Sequence, residues 1–213
     1  MIFIVRRTRK IDDWMIELLA PAGDFEKLTK VIQYGADAVY LGLHQFNLRA
    51  AGGNFNLQDQ LPQAVELAHQ NKVKVYLTLN SLARDHEFAD LETLIKHLPV
   101  TGIDAVIVSD PGVLQTVRKF APELDIHIST QSSVMNSQTA KFWYDQGVTR
   151  IILARELSLE DIKTMRQALD DGANVDVVNG DKRTALMRVS KRGYREITDI
   201  LFEHNAKPNL LDK

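Results

Sequence analysis

The sequence contains no cysteine among its 213 residues. A disulfide framework, a thiolate zinc site, a cysteine nucleophile and a cysteine-ligated iron–sulfur cluster therefore cannot be built from its own side chains. Which cofactor the protein uses, if any, stays unknown from the sequence.

Several motifs with defined chemistry are also absent. No apolar run approaches the roughly 20 residues of a membrane helix, so we expect no membrane association. Nothing matches G-x-G-x-x-G or the P-loop pattern, which argues against dinucleotide-binding and P-loop folds, and no G-x-S-x-G elbow supports serine hydrolysis. The six histidines show no tight ligand spacing, so we expect no metal site, and His127, on a predicted strand, is the histidine to examine first.

The charges nearly balance. The chain has 26 Lys and Arg against 28 Asp and Glu, and its net charge of -2 gives no global attraction for nucleic acid or anionic lipid. This balance does not exclude a local basic patch. The N-terminal apolar run precedes its basic cluster, the reverse of a secretory signal, which predicts a cytoplasmic protein.

From Ile16 onward, short apolar runs alternate with helical patterns. Near-continuous apolar runs are typical of parallel strands covered on both faces, and the intervals leave room for crossover helices. The fold class is therefore predicted as α/β, a partial TIM-like (β/α) barrel of about six βα units, since a closed barrel takes eight. The predicted strands are Ile16–Ala20, Ala38–Leu43, Val73–Leu79, Ala105–Val108, Ile126–Ser129 and Arg150–Leu153.

Local signals place several helix ends. Asp24 is a predicted N-cap, with Gly35 ending the same helix, and Pro111–Phe120 is predicted as another helix. Ser158 and Asp161 form an S-x-x-D capping box that opens the last helix before Gly172.

Seven stretches in order resemble one known family, the collagenase-like peptidases of family U32. The similar stretches are ELLAPAGDFEKL (17–28), YGADAVYLG (34–42), FNLRAAGGNF (46–55), VYLTLNSLA (75–83), GIDAVIVSDPGV (102–113), HISTQSSVMNS (127–137) and VTRIILARELSLEDI (148–162). The resemblance implies a TIM-barrel-like catalytic domain acting on a peptide or on RNA, because several members hydroxylate RNA bases such as transfer-RNA uridine. It also implies a cysteine-containing signature shortly after Ala154–Ser158, and since the chain has no cysteine we expect impaired activity.

The C-terminal segment resembles an ankyrin repeat. At an offset of 33, the ankyrin length, Gly172 and Ala173 align with Asn205 and Ala206, and Thr184-Ala185-Leu186-Met187 matches the Thr-Pro-Leu-His motif in part. The predicted domains are residues 1–14 as an N-terminal extension, 15–169 as the partial barrel and 170–213 as the ankyrin-like repeat. The alternative function is a non-catalytic module that recruits a protein partner through this repeat.

Polar residues after the predicted strands are the candidate site, because reactive side chains of βα barrels lie at the C-terminal strand ends. Asp110 is either an N-cap or an acid or base, and Glu156 is either a general base or an ion-pair partner. Arginine binds anions, and amides can bind nucleobase edges, so the predicted substrate-binding residues are Arg49, Asn54, Asn80, Gln131 and Arg155. Open barrel edges also predict a homodimer.

Overall fold

The computed structural model describes residues 4–6, 17–48 and 55–172. The described residues fall into two compact units. The first takes its residues from Met1–Val134 and Thr149–Arg155, and the second from Met135–Val148 and Glu156–Lys213.

One sheet organises the first unit. In the part of the chain that the structure describes, its seven strands follow the order β1-β7-β6-β5-β4-β3-β2, and β2 to β7 are parallel. Each successive parallel strand adds to the same edge. Right-handed crossovers then carry the helices along one face, as in a barrel, whereas a doubly wound sheet reverses its order. The strands are β1 Ile4–Arg6, β2 Leu19–Pro21, β3 Ala38–Gly42, β4 Lys74–Leu79, β5 Ala105–Val108, β6 Asp125–Ile128 and β7 Arg150–Ile152.

The helices of the first unit connect these strands as predicted. They are α1 Phe25–Gln33, α2 Gln60–Gln70, α3 Phe88–His97 and α4 Pro111–Phe120. The Asp24 carboxylate accepts from Lys27 N at 2.8 Å, and Gly35 follows α1 with a φ of 82°, so both predicted ends of α1 are confirmed. Three short 3-10 helices complete the connections, Asp85–Glu87, Leu98–Thr101 and Thr130–Ser132.

The second unit contains two described helices, α5 Ser137–Asp145 and α6 Leu159–Gly172. The cap of α5 is Asn136, whose side-chain oxygen accepts from Thr139 N at 2.9 Å. The capping box of α6 is confirmed, because Asp161 Oδ2 accepts from Ser158 N at 2.9 Å and Asp161 N donates to Ser158 Oγ at 3.2 Å. The ankyrin-like prediction falls almost entirely on residues 173–213, outside the described residues.

The two faces of the sheet differ because strand side chains alternate. One face includes Val75 and Leu77 of β4, on which α2 packs, and both residues are fully buried. The opposite face carries a buried cluster drawn from four strands, made of Ala38, Tyr76, Ala105, Ile107 and Ile152. The core of the unit thus extends through both faces of the sheet.

A buried ion pair shows that this sheet is curled. Arg150 on β7 donates to both carboxylate oxygens of Glu17, just before β2, at 2.5 and 3.2 Å. These strands are the first and last of the parallel series, and five steps of about 4.8 Å would separate them by about 24 Å in a flat sheet. Two side chains cannot span that gap. The parallel strands therefore curve into a half-barrel, which confirms the predicted α/β partial barrel.

The sequence analysis did not predict β1. Residues Ile4–Arg6 pair antiparallel with β7, with Ile4 opposite Ile152 and Arg6 opposite Arg150. The edge of β7 that we expected to be open is therefore paired within the chain. At the other end of the order lies β2, which has only three residues and ends at Pro21, features that disfavour pairing with a second chain.

We predict that Glu17→Leu destabilises the protein by about 3–5 kcal/mol, because it leaves the Arg150 charge buried without its partner. Chemical denaturation would measure the change. The double variant Glu17→Leu/Arg150→Met should cost less than the sum of the two single changes, since it removes both charges.

The matched control is Glu92→Gln, which removes one charge from the exposed Lys96–Glu92 pair at 3.6 Å on α3. A change within about 0.5 kcal/mol is expected there. If Glu17→Leu were as mild as Glu92→Gln, the ion pair would not hold the curled sheet.

Candidate polar site at the strand ends

A row of polar side chains lies at the C-terminal ends of three neighbouring strands. Leu79 pairs with Val108, and Val108 pairs with Ile128. The next residue of each strand is Asn80, Ser109 or Ser129, so these three residues share one register position. Because side chains alternate between the two faces of a strand, these three side chains lie on the same face as Tyr76 and Ile107. This is the concave face of the curled sheet, across which Glu17 pairs with Arg150. We call Asn80, Ser109 and Ser129 the polar row.

Loop hydrogen bonds hold the polar row in place. Asn80 Oδ1 accepts from Leu48 N at 3.2 Å, which ties the end of β4 to the loop after β3. Ser129 Oγ accepts from Gln131 N at 3.3 Å, and Ser132 Oγ donates to the Ser109 carbonyl oxygen at 3.2 Å. The loops after neighbouring strands therefore support each other at this end of the sheet.

Ser109 differs from its neighbours. Its side chain is buried, with 8% of the residue exposed, and its Oγ has no hydrogen-bond partner among the described residues. Ser109 directly follows the predicted strand Ala105–Val108, so it belongs to the polar residues expected at the strand ends. No local sequence signal distinguishes it, because its burial depends on how the strand ends pack.

Asp110 caps α4. Its Oδ1 accepts from Gly112 N at 2.6 Å and from Val113 N at 3.1 Å, while Pro111 occupies the first turn. A Cβ at Gly112 would lie 3.0 Å from this oxygen and 2.9 Å from Phe88 Cζ, so the turn is tight. Asp110 therefore caps α4, and its role as an acid or base stays a prediction.

The other candidates are placed as follows. The first unit contains Gln131 and Arg155, and both side chains are exposed. Gln131 lies two residues after Ser129, and Arg155 follows β7. Glu156 is exposed and belongs to the second unit. Arg49 and Asn54 lie outside the described residues. Of the predicted substrate-binding residues, Asn80 is a member of the polar row, and Gln131 donates its main-chain N–H to another member, Ser129.

A second polar group, at the N-terminal ends of the strands, was missed from the sequence. Tyr76 donates from its hydroxyl to Glu17 Oε2 at 2.9 Å, and its ring meets the buried His127 ring edge-on at 4.6 Å. The Arg150 guanidinium lies 5.1 Å from the centroid of the Tyr76 ring. The only signal in the sequence is that these polar residues interrupt otherwise apolar strands.

Burial governs the ionisation of this second group. Burial raises the pKa of Tyr76, whose hydroxyl therefore stays protonated and donates to Glu17. Burial is the largest single influence on Arg150 and opposes its charge, but the hydrogen bonds and charge interactions with Glu17 and Tyr76 together outweigh burial, so the pKa of Arg150 is raised. Arg150 therefore stays positively charged throughout the physiological pH range.

A cavity of about 130 Å³ adjoins this second group, and its lining includes Lys74, Asp104, Asp125 and Thr149. The N-terminal ends of barrel strands serve stability, whereas ligands bind at the opposite ends. Among the residues described, no three His, Asp or Glu side chains are grouped to hold a metal ion. No described helix is long and apolar enough to cross a membrane.

The fold and the polar row define a class, an α/β protein with a partial parallel barrel and a hydrogen-bonding site at its C-terminal strand ends. Residues 23–181 match peptidase family U32, and the chain belongs to this family. The solved structure of the U32 peptidase Mk0906 superposes with a TM-score of 0.61 over 75% of this chain and 68% of that chain. At 14% identity, this likeness concerns the fold alone.

Two relatives from Escherichia coli strain K12 are similar in sequence. The tRNA hydroxylation protein P is 42% identical over 158 residues, which cover 73% of this chain and 34% of that protein. The 23S rRNA 5-hydroxycytidine C2501 synthase is 40% identical over 155 residues, which cover 73% of this chain and 23% of that protein. The chain thus spans about a third or less of the length of these relatives.

We predict that Asp110→Ala lowers stability by about 1 kcal/mol, because two N-terminal amides of α4 lose their acceptor. Asp110→Asn should keep the melting temperature near that of the wild type, since asparagine caps helices as well as aspartate does. Thermal unfolding of both variants measures this. An equal loss of stability in Asp110→Asn would show that the carboxylate charge, and not capping, is what matters.

Proposed function

We propose that this protein takes part in the hydroxylation of an RNA base, with transfer RNA as the substrate. The observation that carries this proposal is the 42% identity to the tRNA hydroxylation protein P over 158 residues. The similarity to a 23S rRNA 5-hydroxycytidine synthase supports RNA as the substrate class.

The polar row is chemically suited to a nucleobase. An asparagine amide and serine hydroxyls can pair with the edge of a base, whereas the neighbouring exposed Arg155 can bind a phosphate. We propose Asn80, Gln131 and Arg155 as substrate-binding residues, together with Arg49 and Asn54. Since the net charge is -2, the attraction for RNA has to be local.

The geometry also favours a substrate base that is extruded from its stacked position in the RNA. The polar row lies on the concave face of the strand ends, and Ser129 is only 3% exposed. A base held in a duplex or a stacked loop cannot reach such a position, and enzymes that modify bases commonly extrude them into a pocket. We propose that the reacting base enters the strand ends from the rim.

We also propose that Glu156 acts as a general base and that the protein is cytoplasmic. We further propose that its activity is impaired, because the chain has no cysteine and therefore contributes no thiolate to a cofactor. We propose that the chain alone hydroxylates RNA less than the E. coli tRNA hydroxylation protein P does. A peptide substrate is the other outcome, and a peptide cleavage assay on the purified protein would detect it.

The protein-recruitment alternative rests on the ankyrin-like pattern at residues 170–213. A pull-down with the full chain and with a chain lacking residues 176–213 addresses it. Partners lost on deletion would support recruitment, whereas unchanged partners would count against it.

The hydroxylation proposal is tested in a bacterial strain that lacks its own tRNA hydroxylation proteins. Expression of the chain should restore hydroxylated nucleosides in digested transfer RNA to a detectable level, below the level that the E. coli tRNA hydroxylation protein P restores, as measured by mass spectrometry. An unchanged nucleoside profile would contradict the proposal.

We further predict that Arg155→Ala weakens RNA binding by the purified protein and lowers the slope of log affinity against log salt by about 1, as expected for one lost phosphate contact. Lys30→Ala is the matched control. It removes one positive charge from the last turn of α1, which leads into the N-terminal end of β3, so its salt slope should not change. Equal slopes for the two variants would exclude a phosphate contact by Arg155.

A further inference from the structure

Ser109 differs from three threonines of the first unit. The buried Thr101 and Thr116 and the partly buried Thr78 each donate to a main-chain carbonyl oxygen, at 2.7, 2.8 and 2.9 Å respectively. Ser109 Oγ has no partner in the part of the chain that the structure describes, although the residue is 92% buried. A buried hydroxyl without a hydrogen-bond partner is unfavourable, and a bound group that pairs with it would remove that cost.

The position of this hydroxyl points to a ligand. Ser109 is the middle member of the polar row, with the strand bearing Asn80 on one side and the strand bearing Ser129 on the other. Adjacent strands are about 4.8 Å apart, so the row spans about 10 Å, comparable with the width of a nucleobase and its sugar.

The two flanking residues leave hydrogen-bond donors available. Asn80 Oδ1 already accepts from Leu48 N, which leaves the amide NH₂ group to donate elsewhere. Ser129 Oγ already accepts from Gln131 N, which leaves its O–H free to donate. A hydroxyl both donates and accepts, so Ser109 can pair with a ring nitrogen or with a carbonyl oxygen.

We propose that Ser109 is a substrate-binding residue whose hydroxyl hydrogen-bonds the polar edge of the inserted base, between donors from Asn80 and Ser129. The ligand class is a planar nucleobase edge that carries carbonyl acceptors. This role rests on the proposed RNA hydroxylation function, and it assigns the base-binding position within that site.

Ser109→Ala is the decisive variant, because binding and structural roles predict opposite effects on stability. Removing a hydroxyl that has no protein partner should leave the melting temperature unchanged or raise it. RNA affinity and hydroxylated nucleoside content should fall roughly tenfold, the effect of about 1.4 kcal/mol, which is near the upper end for one hydrogen bond. Ser109→Thr keeps the hydroxyl and should retain most of the binding.

Thr101→Val is the matched control. It removes a buried hydroxyl that does have a protein partner, the Leu98 carbonyl oxygen, so its melting temperature should fall while its RNA affinity stays at the wild-type value. The measurements are thermal unfolding, binding of a short fluorescent single-stranded RNA by the purified full chain, and nucleoside mass spectrometry in the complemented strain.

The outcomes separate the two proposals. Wild-type affinity and nucleoside levels in Ser109→Ala, or a fall in its melting temperature with no loss of binding, would overturn the role of Ser109 and leave the hydroxylation proposal standing. A wild-type chain that neither binds RNA nor restores the nucleoside would overturn the proposed function and this role with it.

Discussion

The contact between Glu17 and Arg150 is the constraint on which the described sheet depends. It joins the residue before the first parallel strand to the last parallel strand, across the concave face. Both side chains are nearly buried, and Tyr76 on a central strand donates to the same carboxylate. One carboxylate therefore connects the first, the last and a central strand of the parallel series, and the curvature that this requires brings the strand ends into a shared rim.

The concave face of the sheet carries two kinds of polar side chains, one at each end of the strands. Toward the N-terminal strand ends, Glu17 neutralises Arg150 and accepts a hydrogen bond from Tyr76. Toward the C-terminal ends, polar groups keep hydrogen-bonding capacity, and Ser109 is the clearest instance. Self-satisfied groups stabilise a fold, whereas groups with unused capacity can bind ligands. Both kinds occur on one sheet because alternate residues of every strand reach the concave face.

Local features of the fold could be predicted from the sequence. The caps at Asp24 and Ser158, the helix Pro111–Phe120 and the parallel strand series depend on residues a few positions apart, where propensity and capping act. The candidate site was predicted in outline, because the barrel rule locates strand ends. The Glu17–Arg150 pair joins residues 133 positions apart, and the register that aligns Ser109 with Asn80 depends on packing of whole strands. No local pattern encodes either feature.

The pairing of β1 with β7 affects the order in which the sheet can assemble during translation. Ile4 is synthesised before its strand partner Ile152, which follows 148 positions later in the chain. At translation rates of about 5–20 residues per second, the N-terminal segment waits roughly 7–30 s for its place in the sheet. The parallel strands can assemble in order of synthesis during that interval. Among the described strands, β1 is thus synthesised first and paired last, because its partner β7 is the last strand to be synthesised.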